Sequence, residues 1–106
     1  NKTWIGPKTI IIAAGQVTIG NNVDIAPEVY LGTGTHKINT EGSRRAGDGL
    51  NKPITIGDGC WLCARSVILA GVSIGPMSIV GAGAVVNRDL PEKITAVGVP
   101  AKILKQ

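Results

Sequence analysis

Aliphatic residues recur every six positions along this chain, and that regularity excludes most folds before composition is considered. One register holds Ile19, Ile25 and Leu31; after an interruption it resumes at Ile56, Leu62, Ile68, Ile74, Val80 and Val86. Val, Ile and Leu fill 30 of 106 positions, so nine matches in a preset register would arise by chance roughly once in 10⁵. An α-helix cannot use this period, because 3.6 residues per turn scatter such positions around the whole cylinder. The Gly residues and Pro76 between Ile56 and Leu90 would weaken a helix further. Short strands joined by tight turns can use it, since alternate strand side chains point to one side.

The position after each aliphatic residue is usually small, as at Gly20, Ala26, Gly32, Gly57, Gly75 and Gly81, which lets the chain bend. Four positions after each comes Val23, Val29, Thr35, Cys60, Ser66, Val72, Ser78, Ala84 or Leu90, a second inward set of mostly small or β-branched residues. Three six-residue sides make an 18-residue coil, so Ile56 should stack on Ile74 and Cys60 on Ser78. Fifteen Gly, 3% aromatic residues and no Phe suit a core of small repeated layers. The expected fold is all-β, a parallel β-helix forming one domain over 1–106. Residues 37–55 interrupt the repeat with a polar stretch carrying Arg44 and Arg45, the pattern of an excursion loop. Residues 92–106 are expected to cap the last coil.

The run [Ile/Leu/Val]-Gly-x-x-[small]-x resembles the signature of the hexapeptide-repeat acyltransferases, and the resemblance covers the chain from about Val17 onward. Pro53-Ile-Thr-Ile-Gly-Asp-Gly-Cys-Trp61, Val72-Ser-Ile-Gly, Val80-Gly-Ala-Gly-Ala-Val-Val86 and Gly98-Val-Pro-Ala-Lys102 follow the family segment by segment. It implies a left-handed coil. Periodicity does not carry that handedness, and parallel crossovers are otherwise almost always right-handed. The similarity is greatest to the colanic-acid, maltose and galactoside O-acetyltransferases, implying acetyl transfer from acetyl-coenzyme A to a hydroxyl of a sugar or related small acceptor. It also implies a homotrimer with sites at subunit interfaces and no metal.

His36, the only His, closes Thr33-Gly34-Thr35-His36 at the origin of the interruption. An imidazole there is accessible and can take up a proton, as a general base requires; the resemblance assigns it that role. The resemblance also carries coenzyme contacts onto Trp61 as a wall of the transfer site and onto Ala64 and Ala82 through their backbones. Asn87, Arg88, Lys102 and Lys105 complete the set, the three cations suiting a phosphate-bearing ligand. Two departures stand out. Asn87 replaces a common Thr, and Ala13-Ala14 occupy the stretch where galactoside-type relatives hold an acidic acceptor contact. The family also carries a longer portion before its His, so N-terminal coils are expected to be absent from this chain unless the protein is unusually short.

Several other functions do not fit. A net charge of +4 is too small for a nucleic-acid stripe, and no apolar run approaches the ~20 residues of a membrane span. Cys60 and Cys63 form a C-x-x-C without the four ligands of a zinc site or the helix of a redox motif, so they read as small buried or half-buried residues. Reduced thiols and the lack of a signal-peptide pattern suit a cytoplasmic address. A γ-type carbonic anhydrase needs three His ligands. The remaining alternative is a non-catalytic, scaffolding β-helix.

Overall fold

Each hexad places one short strand on a flat side and turns a corner, so the chain winds as a three-sided coil. The computed structural model describes residues 2–104; Lys105 lies outside the described residues. The first coil is β1 (Trp4–Ile5), β2 (Ile10–Ile12) and β3 (Val17–Ile19). The second is β4 (Asp24–Ile25) and β5 (Tyr30–Gly32), followed by an excursion, β6 (Gly34–Ile38) and β7 (Ala46–Asn51), and closed by β8 (Ile54–Ile56). β9 (Trp61–Leu62), β10 (Val67–Ile68) and β11 (Ser73–Ile74) form the third. β12 (Ile79–Val80) and β13 (Val85–Val86) begin the fourth, whose last side is a single parallel bridge from Leu90 to Ile74. β14 (Thr95–Val97) adds one more rung and β15 (Lys102–Ile103) ends the described chain.

Strands one coil apart pair in parallel and build three faces. Face A is β1-β4-β9-β12-β14 with β15 added antiparallel, face B is β2-β5-β10-β13, and face C is β3-β8-β11. The offset between paired residues is 18 for Thr55↔Ser73, Trp61↔Ile79 and Val67↔Val85, as the period requires. It is 20 in the first coil, Trp4↔Asp24, and 16 at the last rung, Ile79↔Thr95. Across the interruption it is 37, Asp24↔Trp61, so 37 − 18 leaves 19 inserted residues.

The inward sets close around the coil axis. Ile25, Leu31, Leu62, Ile68, Val80 and Val86 are wholly buried, as are Val23, Val29, Cys60, Ser66, Ser78 and Ala84. Burying each Val, Ile or Leu contributes about 1.5–3 kcal/mol, which is how short strands hold together. Thr35 departs from expectation, being exposed in β6. The chain leaves the coil before reaching that position, and Ile54, which is 18 residues before Val72 and fully buried, fills it instead. The excursion is a hairpin: β6 and β7 pair antiparallel from Gly34↔Asn51 to Ile38↔Ala46. Its stem therefore starts three residues before the 37–55 segment, and the chain is back in the core at Ile54.

The small residue after each inward position serves contact between coils. A Cβ on Gly57 would lie 2.6 Å from the Pro76 nitrogen, and one on Gly75 2.5 Å from that of Glu92. The bend itself falls two residues later, at the left-handed positions Gly59, Arg65, Gly71, Met77 and Gly83, again six apart. At the C-terminal end, residues 98–101 cross over β13: Ala101 N–H donates to Val85 O at 2.8 Å and Val85 N–H to Gly98 O at 3.0 Å. Among the described residues the segment from 92 thus adds a further rung, with Ala96 buried, before residues 98–101 cross over β13.

Candidate functional site

The hairpin leaves at the corner between faces B and C, and a buried hydroxyl fixes its root. Thr33, at 0% exposure, accepts from Gly15 N–H at 2.9 Å and lies 3.0 Å from Asn51 Oδ1 at the end of β7. Lys52 N–H then donates to Thr33 O at 2.9 Å. One side chain thereby ties the first coil, the end of β5 and the returning strand together. Three residues on, His36 lies opposite Gly49 in the ladder. It is exposed, and its Nδ1 is 2.8 Å from Gly47 O. A carbonyl can only accept, so Nδ1 carries a proton, and in the neutral ring the lone pair is then on Nε2.

Beside this root a cleft of about 240 Å³ climbs the B/C corner, lined by Gly34, Thr35, Lys52, Leu69, Ala70 and Asn87. A second cavity of about 180 Å³ follows beneath the cap, lined by Arg88, Asp89, Leu90, Ala101, Lys102 and Ile103. Asn87 lines the first and Arg88 the second, and these two residues are adjacent in sequence, so the two separate openings follow one another as a track. Asp89 does not neutralise Arg88 by an ion pair; its Oδ1 accepts from Ser73 N–H at 2.8 Å. The track therefore passes from the foot of the His36 hairpin to a cationic end formed by Arg88 and Lys102.

The other expected site residues lie elsewhere. Trp61 stands outward on face A at 50% exposure, and Ala64 and Ala82 sit one coil apart at the A/B corner, where Gly83 N–H donates to Ala64 O. Face B separates them from His36 and Asn87, about five extended residues or ~16 Å wide. A single chain does not bring the two groups together. Sequence reading missed Lys52, Leu69 and Thr33. The signal for Leu69 was its 18-residue offset from Asn87, which stacks the two at the B/C corner.

Cys60 and Cys63 are both free thiols. Cys60 is buried, its Sγ–H donating to Gly75 O at 3.1 Å. Burial pushes its pKa above the ordinary 9.0, partly offset by backbone hydrogen bonds around Ser78, Met77 and Gly57. Burial also raises that of Cys63. Among the described residues no group of three or more His, Cys, Asp and Glu could hold a metal ion, and no helix is long and apolar enough to cross a membrane.

Residues 53–88 match the family model described as bacterial transferase hexapeptide (six repeats). The chain is 42% identical over 90 residues to the galactoside O-acetyltransferase of Escherichia coli K12, an alignment covering 85% of this chain and 44% of that protein. Among solved structures it is similar to a hexapeptide-repeat acetyltransferase of Vibrio cholerae complexed with acetyl-coenzyme A, at TM-score 0.89 and 36% identity, covering 97% of this chain and 56% of that one. A galactoside acetyltransferase in complex with coenzyme A superposes at TM-score 0.84 with 37% identity, covering 99% and 55%. The chain thus spans about half the length of these relatives.

Proposed function

The chain belongs to the hexapeptide-repeat acyltransferase family, and from that premise we propose that it is an acetyl-coenzyme A-dependent O-acetyltransferase acting on a hydroxyl of a sugar or related small acceptor. The observation that carries this reading is the order of three features: His36 on the hairpin, a cleft lined by that hairpin's Gly34 and Thr35, and a second cavity lined by Arg88 and Lys102. The phosphates of coenzyme A suit the cationic end, and its thioester would then lie toward the hairpin. Lys105 extends the same basic tail in sequence. His36 Nε2 takes the proton of the acceptor hydroxyl as that oxygen attacks the thioester carbonyl. The tetrahedral intermediate, its oxyanion held by backbone N–H groups, then expels coenzyme A thiolate, which recovers the proton from the imidazolium. No metal and no acyl-enzyme enters.

The way the remaining residues are split supports a homotrimer. Face B is apolar outward, with Ile10, Ile12, Tyr30, Val67 and Val85, whereas face C presents Thr18, Thr55 and Ser73. With face B on a three-fold axis, the A/B corner of one copy meets the B/C corner of the next, and Trp61, Ala64 and Ala82 would join a neighbour's His36 and Asn87. We take the coil to be left-handed, as its likeness to the family supports. We also take 1–106 as one catalytic domain working in the cytoplasm, where free thiols stay reduced.

Titration calorimetry with acetyl-coenzyme A, followed by acceptor-dependent release of coenzyme A thiol in the presence of galactosides or maltose, tests the reading. Saturable binding and acceptor-dependent release are expected. A chain that binds no acetyl-coenzyme A would instead be a scaffolding β-helix.

A further inference from the structure

Face A carries an outward column unlike either other face. Trp4 pairs with Asp24, and Asp24 with Trp61, on the adjacent strands β1, β4 and β9. The strand neighbours of Asp24 and Trp61, Ile25 and Leu62, are fully buried, and Trp4 is in register with Asp24, so this column points to the outside. Trp4 and Trp61 are 54% and 50% exposed, and adjacent strands are ~4.8 Å apart. Two indoles thus flank one carboxylate, ~10 Å from end to end.

We propose that Trp4, Asp24 and Trp61 form a saccharide-binding ledge that seats the acceptor. A sugar ring has an apolar C–H face and an equator of hydroxyl donors. Exposed indoles offer the first a flat apolar partner, and an ionised carboxylate, acceptor only, can take two adjacent hydroxyls at once. Among the described residues Asp24 has no hydrogen bond or ion pair through its side chain, so both oxygens are available to a ligand. A second copy of the chain is a poorer occupant. Closing an apolar protein surface over the column would bury a carboxylate without a partner, which is unfavourable, whereas face B offers an apolar surface free of charge. An acidic ligand is disfavoured by Asp24 itself.

The assignment rests on the acetyl-transfer reading, and it supplies what that reading lacks, a place for the acceptor. With face B on the three-fold axis, face A remains outside, and the column runs alongside the A/B corner, where the neighbour's His36 hairpin would arrive. The ring would be held by one chain and deprotonated by the next.

The probes are methyl β-D-galactopyranoside and maltose, titrated without coenzyme against intrinsic tryptophan fluorescence, with calorimetry as a second readout. The wild-type protein should give a saturable response to at least one of them. Trp4→Ala and Asp24→Ala should each weaken it about tenfold or more, while Trp4→Phe retains most of it and affinity for acetyl-coenzyme A stays unchanged in all three. These positions lie outside the core, so melting temperatures should hold. Absence of a saturable response in the wild-type protein, or affinity that survives both alanine substitutions, overturns the ledge. Dissociation of an oligomer by Trp4→Ala, seen in sedimentation, reassigns the column to a second copy and overturns it too. Failure of the wild-type protein to bind acetyl-coenzyme A sinks the transferase reading separately, because saccharide binding is read without coenzyme.

Discussion

The coil stack and the β6–β7 hairpin are built on opposite terms. In the coils every inward position between Val23 and Val86 is sealed by the rung above and below, and the backbone ladder repeats at a fixed offset. The hairpin is exposed along β6, and its ladder shifts register between His36 and Ile38. It keeps its place through its root, Thr33 and Asn51, and through the His36–Gly47 hydrogen bond. The rigid part thus holds no candidate for proton transfer, and the part that does has almost no core of its own. Segments with few buried contacts open most easily, so the coil must supply the precision that the hairpin lacks.

The strongest way to break this contrast is to find that one substitution damages both properties. His36→Ala should lower kcat for acetyl transfer by about 10²–10⁴, with melting temperature and acetyl-coenzyme A affinity nearly unchanged. A variant with near-full activity on its acceptor would remove His36 from the mechanism. Ile68→Ala, in the sealed third coil, should cost about 2–5 kcal/mol in chemical denaturation, while the fraction still folded keeps its kcat. Equal loss of kcat in that folded fraction would mean the two regions are not separable.

Thr33→Val acts where the regions join. It preserves shape but leaves Gly15 N–H without its acceptor and Asn51 without its neighbour, costing about 1–3 kcal/mol of stability. If the hydroxyl positions the hairpin, kcat falls while KM for acetyl-coenzyme A holds, and Thr33→Ser restores both. Loss of stability with kcat intact would reduce Thr33 to packing. A smaller effect is expected at the far end of the track. Lys102→Glu should raise KM for acetyl-coenzyme A about tenfold with kcat little changed, and Lys105→Glu should act in the same direction. Unchanged KM in both would make that tail a solubility feature.

The coils were legible in the sequence because a sealed interior must repeat: Leu62, Ile68, Val80 and Val86 lie where a six-residue period puts them. The hairpin was legible only as an interruption. Its polar residues carry no period, so its antiparallel pairing and its start at Gly34 were hidden, and Thr35 was assigned to an interior that Ile54 occupies. His36 stood out as a lone His at a boundary, a signal made specific by family resemblance. Thr33 gave none, since its partners Gly15 and Asn51 are each 18 residues away, an offset that becomes meaningful only once the excursion is placed between coils. The Trp4–Asp24–Trp61 column was concealed likewise, by unequal offsets of 20 and 37.

The smallest expected effect tests how dry the coil interior is. Burial raises the pKa of Cys60 above its ordinary 9.0, so the folded protein holds that proton to higher pH than the unfolded chain does. Its contribution is therefore constant below pH 9 and is lost as pH rises through the raised value. Melting temperature should decline over that alkaline range. Cys60→Ser separates this thiol from Cys63, whose pKa burial also raises, because a hydroxyl can serve the same place: Ser78, one coil above, donates from Oγ to Pro91 O at 2.7 Å as Cys60 does to Gly75 O. The variant should match the wild-type protein near pH 7 and show a shallower alkaline decline in thermal melts followed by circular dichroism. Parallel declines would mean that water reaches the axis at this corner, and the contrast between a sealed coil and an open hairpin would then be weaker than the burial of Cys60 indicates.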